Sequence, residues 1–175
     1  MQFSVGDKVV HPYHGPGRII GVERREFLDG KKLYYQIEIP TQELTVYLPR
    51  AALEKVGLRP AMRQARLTHV LARLESHPDH LPEDFKERQD LVCEKLSTGR
   101  VMQVAEAVRD LSWHKERDHL TKRDTDLLTQ GKSRLAAEMA LVSDAEVSAM
   151  ETRIDDTLAA ALSGPGEREG YFQRP

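Results

Sequence analysis

Two histidine pairs are the first places to look for chemistry. His11-x-x-His14 and His77-x-x-His80 have a spacing that a metal ion could use. A zinc site needs further ligands in a recognisable pattern, and neither pair has an evident third. The first pair falls where a strand meets a turn and the second flanks Pro78, so turn and surface histidines are the simpler reading. Glu83-Asp84 offers two adjacent carboxylates. Directly after Pro82 they fit the first turn of a helix, whose dipole favours acids, better than a general acid–base couple. No Walker loop and no G-x-G-x-x-G is present, so no phosphate cradle of either kind is encoded. Cys93 is alone, which excludes an internal disulfide and a cysteine metal site. The expectation is a protein that is not an enzyme and needs no cofactor or metal.

The charge distribution narrows the possible partners. The 175 residues carry a net charge of −2. Residues 1–57 hold 8 Lys/Arg against 7 Asp/Glu, residues 58–143 hold 15 against 14, and residues 144–175 hold 3 against 7. Two near-neutral parts release few counterions, so binding to free duplex DNA should be weak and salt-sensitive. No run approaches the ~18 apolar residues of a membrane span. Met1–Asp7 lacks the basic and apolar regions of a signal peptide, which predicts a cytoplasmic protein with no membrane partner.

The elements that must position any site fall into two groups. From Asp7 to Leu48 the pattern alternates or runs in β-formers. Strands are expected at Asp7–His11, Gly17–Phe27, Lys32–Ile39 and Glu43–Leu48, with a short fifth at Val56–Pro60. Leu28-Asp29-Gly30 reads as a hairpin turn and Pro40-Thr41-Gln42 as a second turn. Tyr13-His14-Gly15-Pro16-Gly17 makes a tight turn from residues that permit or fix unusual φ. This predicts a small antiparallel barrel of SH3 or Tudor type over 1–58.

After Pro60 the period becomes helical. Helices are expected over Met62–Leu74, from Pro82 to about Thr98-Gly99, and over Val101–Leu111. A fourth is capped by Thr121, with Leu128, Leu135, Met139 and Val142 on one face. A fifth opens on a Ser143…Glu146 capping box, with Val147, Met150, Ile154 and Leu158 inward. The fold class is thus α+β in two domains, 1–58 and 60–162, followed by a disordered tail over 163–175.

The segments VGDKVVHPYHGPGRI, ELTVYLP and VGLRP follow one another in the β part, and EKLSTGRVMQVAEAVRDL stands in the helical part. In this order, from about Met1 to Ala160, the chain resembles the CarD/CdnL family of bacterial transcription regulators. The same β module opens the polymerase-interacting domain of the transcription–repair coupling factor, but no helicase motif is present. The resemblance implies a monomeric two-part clamp. Its Tudor-like domain binds the RNA polymerase β subunit. Its helical domain sits on upstream promoter DNA and wedges an aromatic residue into the minor groove at the edge of the melted bubble, stabilising the open complex.

Carried over residue by residue, Arg25 matches a polymerase-contacting arginine, with Arg24 beside it and Phe27 as an apolar neighbour. Tyr47 stands where the family pattern has a second arginine, and Pro49 matches. The wedge position falls on Phe85, where many relatives have tryptophan, with Lys86 and Arg88 as DNA-contacting cations. Glu87 and Asp90 occupy two places where basic residues are expected. By periodicity alone Phe85, seven residues before Val92 and eleven before Leu96, faces the core, and Arg24 and Arg25 taken alone read as ordinary solvated strand residues. Trp113 ends a helical stripe and is expected to pack.

Overall fold

The computed structural model describes residues 2–27 and 30–163, so Leu28 and Asp29 of the expected turn and nearly all of the expected tail lie outside the described residues. The first part is one antiparallel sheet of five strands: β1 (Lys8–His11), β2 (Gly15–Phe27), β3 (Gly30–Ile39), β4 (Leu44–Pro49) and β5 (Arg59–Pro60), in the order β4-β3-β2-β1-β5. Inward residues alternate along the strands as the pattern requires. Ile19, Tyr35, Ile37, Ile39 and Leu48 are buried with Phe3, Val9, Leu53 and Leu58. Phe3 meets the Tyr35 ring edge-on and donates its backbone N–H to the Tyr35 hydroxyl at 3.3 Å.

His11 has a structural task. Its Nδ1 accepts the backbone N–H groups of Tyr13 and His14, both at 3.2 Å, and so closes the turn between β1 and β2. Gly17 follows because β3 lies against it: a Cβ there would stand 2.4 Å from the carbonyl oxygen of Glu38. A one-turn helix, α1 (Leu53–Val56), was not expected from the sequence. Four residues are too few to show a helical period.

The second part holds α2 (Leu67–Glu75), α3 (Phe85–Ser97), α4 (Val101–Arg117), α5 (Lys122–Ser143) and α6 (Val147–Ser163). This gives the expected α+β layout, a Tudor-like sheet followed by helices. Three starts differ from expectation. Helix α2 begins at Leu67 rather than Met62, because Arg63 stays extended and Gln64–Arg66 forms a separate tight turn ahead of it. Helix α3 begins at Phe85 rather than Pro82, because the Asp84 carboxylate accepts the N–H groups of Lys86 and Glu87 at 2.9 and 3.0 Å. A side-chain cap fixes a helix start more firmly than a permissive proline does. Ser143 does not open a capping box. It ends α5, where its hydroxyl donates to the Met139 carbonyl at 2.6 Å, and Asp144 then turns left-handed at φ 51°. The Thr121 cap does form, as a full capping box with Asp124.

The helices close around Val70, Leu74, Leu81, Val92, Leu96, Val108, Leu111, Leu135, Met139 and Ile154. Trp113 is fully buried, as expected. Helices α4 and α5 meet at Gly131, where a Cβ would lie 2.8 Å from a Val108 methyl. Among the described residues no helix is long and apolar enough to cross a membrane.

The two parts are joined through α5. Glu138 is 4% exposed. It accepts both outer nitrogens of Arg59, at 2.9 and 2.7 Å, and the backbone N–H of Met62 at 2.9 Å. At the C-terminal end of α5, Asp144 receives Lys8 at 2.9 Å and Arg18 at 2.8 Å. Replacing Glu138 by leucine strands a buried N–H and a half-buried guanidinium. Glu138→Leu should therefore lower the free energy of unfolding by about 2–3 kcal/mol in urea titrations, toward the low end of buried-pair losses because Arg59 keeps some access to water. An unchanged midpoint would show that the junction adds nothing.

Candidate functional site

The register of β2, β3 and β4 builds one outward sheet face. Glu23 stands opposite Tyr34, Gln36 opposite Tyr47, and Tyr34 opposite Pro49. Arg25 lies across this face. Its guanidinium carbon is 4.3 Å from the Tyr47 ring centre and 5.7 Å from that of Tyr34. Its Nη2 and Nε reach the Glu23 carboxylate at 3.2 and 3.3 Å, and Gln36 donates to the same oxygen at 3.1 Å. Hydrogen bonds from Arg25 first, then from Gln36, hold the Glu23 carboxyl below its ordinary range. Arg25 is thus a fixed cation over an aromatic surface, with 39% of its side chain open to solvent.

Of the polymerase-contact residues expected from sequence, the face brings together Arg25, Tyr47 and Pro49. Arg24 pairs with Leu33 and points the other way, since successive strand residues alternate. Phe27 ends β2 opposite Gly30, and its side chain lies outside the described residues. Strand β4 is a sheet edge, so one row of its backbone groups faces away from β3.

At the far end of the helical part, Phe85 is the first residue of α3 and is 47% exposed. Val92 and Leu96, on the same stripe, are buried. Position alone separates them: Phe85 sits in the first turn, beyond the packed layer, while Leu81 from the preceding loop enters the core. Lys86 is exposed beside it, as are Glu87 and Asp90.

Arg88 corrects the sequence expectation. It is 3% exposed and turned inward, so it does not belong to the outer surface. Nη1 donates to the carbonyls of Pro82 and Glu83, both at 3.0 Å, and Nη2 to Asp124 at 2.9 Å. Asp124 is fully buried; burial alone would raise its carboxyl, but hydrogen bonds from Arg88 and Thr121 outweigh that and hold it low. The physical reason is the stripe itself: Arg88, Val92 and Leu96 recur every fourth residue. A buried acid on α5 makes the first of them tolerable.

That ion pair draws the start of α5 against α3. Gln89 donates to the Thr121 hydroxyl at 3.0 Å, and Arg123 reaches the Cys93 sulfur at 3.9 Å. The exposed cations Lys122 and Arg123 are thereby brought to the Phe85 end of the bundle. Sequence reasoning missed both. Their signal was two cations in the first turn of a helix, where the dipole disfavours them.

The second histidine pair is engaged locally: His77 stacks on Trp113 at 6.5 Å, and His80 lies 3.8 Å from Glu83. Among the described residues no group of three His, Cys, Asp or Glu is placed to hold a metal ion.

Sequence comparison now bears on this arrangement. Residues 3–62 match a family model described as the CarD-like/TRCF RID domain, and residues 69–155 match one described as the CarD C-terminal domain. The chain belongs to the CarD family. The curated relative "Putative transcription factor YdeB" of Bacillus subtilis (strain 168) is 29% identical over 140 residues, which is 80% of this chain and 92% of that protein. The solution NMR structure of the 72-residue N-terminal domain of Myxococcus xanthus CarD covers 34% of this chain and 79% of its own, at 25% identity and a TM-score of 0.30. In this CarD-family chain, then, the sheet face falls within the first matched segment. Phe85, Lys86, Lys122 and Arg123 fall within the second.

The buried groups make the helical part acid-sensitive. Asp124 is depressed below its ordinary 3.8, so its stabilisation is complete above that value and is lost as pH falls through the folded-state value. His114 is fully buried, and the charges of Arg88 and Arg117 act to lower it while those of Glu83 and Asp118 act to raise it. Burial first, then Arg88, depress it below 6.5, so the folded state keeps it neutral and its contribution declines as pH drops below 6.5. Urea midpoints should fall in two stages on acidification, the first starting near pH 6.5 and the second below about pH 4. In His114→Gln the first stage should shrink. A midpoint flat from pH 7 to 5 in the parent protein would contradict this.

Proposed function

We propose that this chain is a transcription regulator that binds RNA polymerase and stabilises the promoter open complex. Residues 1–58 serve as the polymerase-binding unit and residues 60–162 as the DNA-contacting unit of a cytoplasmic monomer. The sheet face of Arg25, Tyr47 and Pro49, with Phe27 at its end, docks on the polymerase β subunit. Tyr47 takes the place of a second arginine, and the guanidinium stacked on it offers a partner carboxylate a pre-oriented fork. The open edge of β4 beside it can pair with a strand of the partner.

Phe85 is the aromatic wedge at the upstream edge of the bubble, and Lys86, Lys122 and Arg123 contact phosphates. The observation that carries this reading is Phe85 itself, half exposed at the tip of a helix whose later stripe is buried. The mechanism needs no covalent step. Closed and open promoter states interconvert, and a protein that engages only the open one shifts the balance by its differential affinity. An apolar ring at a fork already melted replaces part of the lost base stacking. Near-neutral charge leaves little intrinsic DNA affinity, and tethering through polymerase supplies the effective concentration instead.

The exposed acids Glu87 and Asp90 favour a second reading, an interaction module that binds polymerase without productive DNA contact. Open-complex lifetime separates the two. Phe85→Ala should shorten it by a few-fold to tens-fold, since one base–aromatic stack is worth roughly 1–3 kcal/mol. Phe85→Trp should lengthen it or leave it unchanged. A folded Phe85→Ala protein with the parent lifetime would favour the second reading. For the polymerase contact, Arg25→Glu should reduce capture of the full-length chain by the isolated β-subunit lobe at least tenfold, because it sets a second acid beside Glu23 and empties the face over Tyr47. Equal capture would remove Arg25 from the interface.

A further inference from the structure

The loop Ser76–Asp84 delivers the polypeptide to Phe85, and three arginines hold it: Arg109 at its start, Arg88 at its end through two carbonyls, and Arg117 through the Glu83 carboxylate. At its start, Arg109 is 2% exposed and donates to the Ser76 hydroxyl at 2.8 Å and to Asp79 at 3.0 Å. Its neighbour Asp110, fully buried, accepts the Asp79 N–H at 3.0 Å and Lys95 at 2.9 Å. At the end of the loop, Arg88 grips the carbonyls of Pro82 and Glu83 and the carboxylate of Asp124. Those carbonyls lie two and three residues before Phe85. Arg88 lies three residues after it, within the same helical turn.

We propose that Arg88 is a positioning residue for Phe85. Its guanidinium ties the incoming loop, the first turn of α3 and the N-terminus of α5 into one rigid bracket that fixes the direction in which the ring projects. This rests on the reading of Phe85 as a wedge and adds what aims it. The argument is geometric. A residue at a helix start has no preceding helical turn to confine it, and the path of its backbone depends on how the loop enters. Here three acceptors from two segments converge on one planar fork. No point charge of the same sign spans them: a lysine can neutralise Asp124 but cannot hold both carbonyls in the same plane. Arg88 is thus kept away from solvent by the same contacts that hold Phe85 toward it.

The test uses the full chain and two readouts. Arg88→Lys keeps the positive charge beside Asp124 and should fold, as read by helical circular dichroism. It should shorten open-complex lifetime several-fold. In the Arg88→Lys, Phe85→Ala double variant the lifetime should be no shorter than in Phe85→Ala alone, because no ring is left to aim. The second readout needs no polymerase. A nitroxide attached through Phe85→Cys, in a Cys93→Ser background, should give sharper, more mobile lines when Arg88→Lys is added. Should Arg88→Lys fail to fold, Asp124→Asn, which retains an acceptor for Arg88, carries the same comparisons with smaller shifts expected.

A folded Arg88→Lys protein with the parent lifetime, or a double variant whose losses multiply, overturns the proposal. An unchanged nitroxide spectrum overturns it whatever the lifetimes do. If Phe85→Ala alone leaves the lifetime unchanged, the wedge reading has failed. The positioning of residue 85 then stands or falls on the nitroxide spectrum.

Discussion

One buried carboxylate decides how the sheet and the helices meet. Glu138 sits five residues before the end of α5, in a position that periodicity assigns to the core. An unpaired acid there would be strongly unfavourable. It is satisfied from outside its own helix, by the guanidinium of Arg59 and the backbone of Met62. Both donors belong to the short stretch where the chain leaves β5. Met62 then turns into the helical core, while Leu58, four residues earlier, belongs to the core of the sheet. The passage from one hydrophobic core to the other therefore occurs on top of this carboxylate. The separation between the Arg25 face and the Phe85 tip follows from that docking and from the length of the helices.

The same residue type does opposite work at the two ends of the molecule. Arg25 lies on a surface, stacked on Tyr47 and steadied by Glu23, with its fork still accessible. Arg88 has every outer nitrogen committed to protein acceptors and lies out of reach of any partner. Local environment, not charge, separates a recognition arginine from a structural one. In the first case the neighbouring acid is exposed on the strand. In the second it is buried on another helix, and burial makes the pair obligatory.

Much of this was legible in the residues. Alternation along β3 and the apolar stripes of α4 and α6 are local patterns, and they gave the elements within a few positions. What failed was long-range or chemical. The true start of α3 depended on which of three neighbouring residues captured the free amides, and Asp84 did so with a side chain that Pro82 lacks. Arg88 was misread because a cation near an expected DNA contact looks like part of it. Its place on the stripe of Val92 and Leu96 held the opposite message, but only Asp124, thirty-six positions on, explains how an arginine can occupy that stripe. Phe85 was ambiguous for a related reason: period places it inward, and only the end of the packed layer turns it out. Lys122 and Arg123 drew no attention, because their relation to Phe85 exists only in the folded chain.

The two ties between sheet and bundle differ in exposure, and so in their response to the ionic medium. Glu138 is shielded, and its hydrogen bonds are little affected by dissolved salt. Asp144, 67% open on its side chain, holds Lys8 and Arg18 at the surface, where counterions compete directly. Raising ionic strength therefore weakens the outer tie and leaves the inner one nearly unchanged. The surface share of the junction is thus tuned by the medium, and the buried share at Glu138 is not.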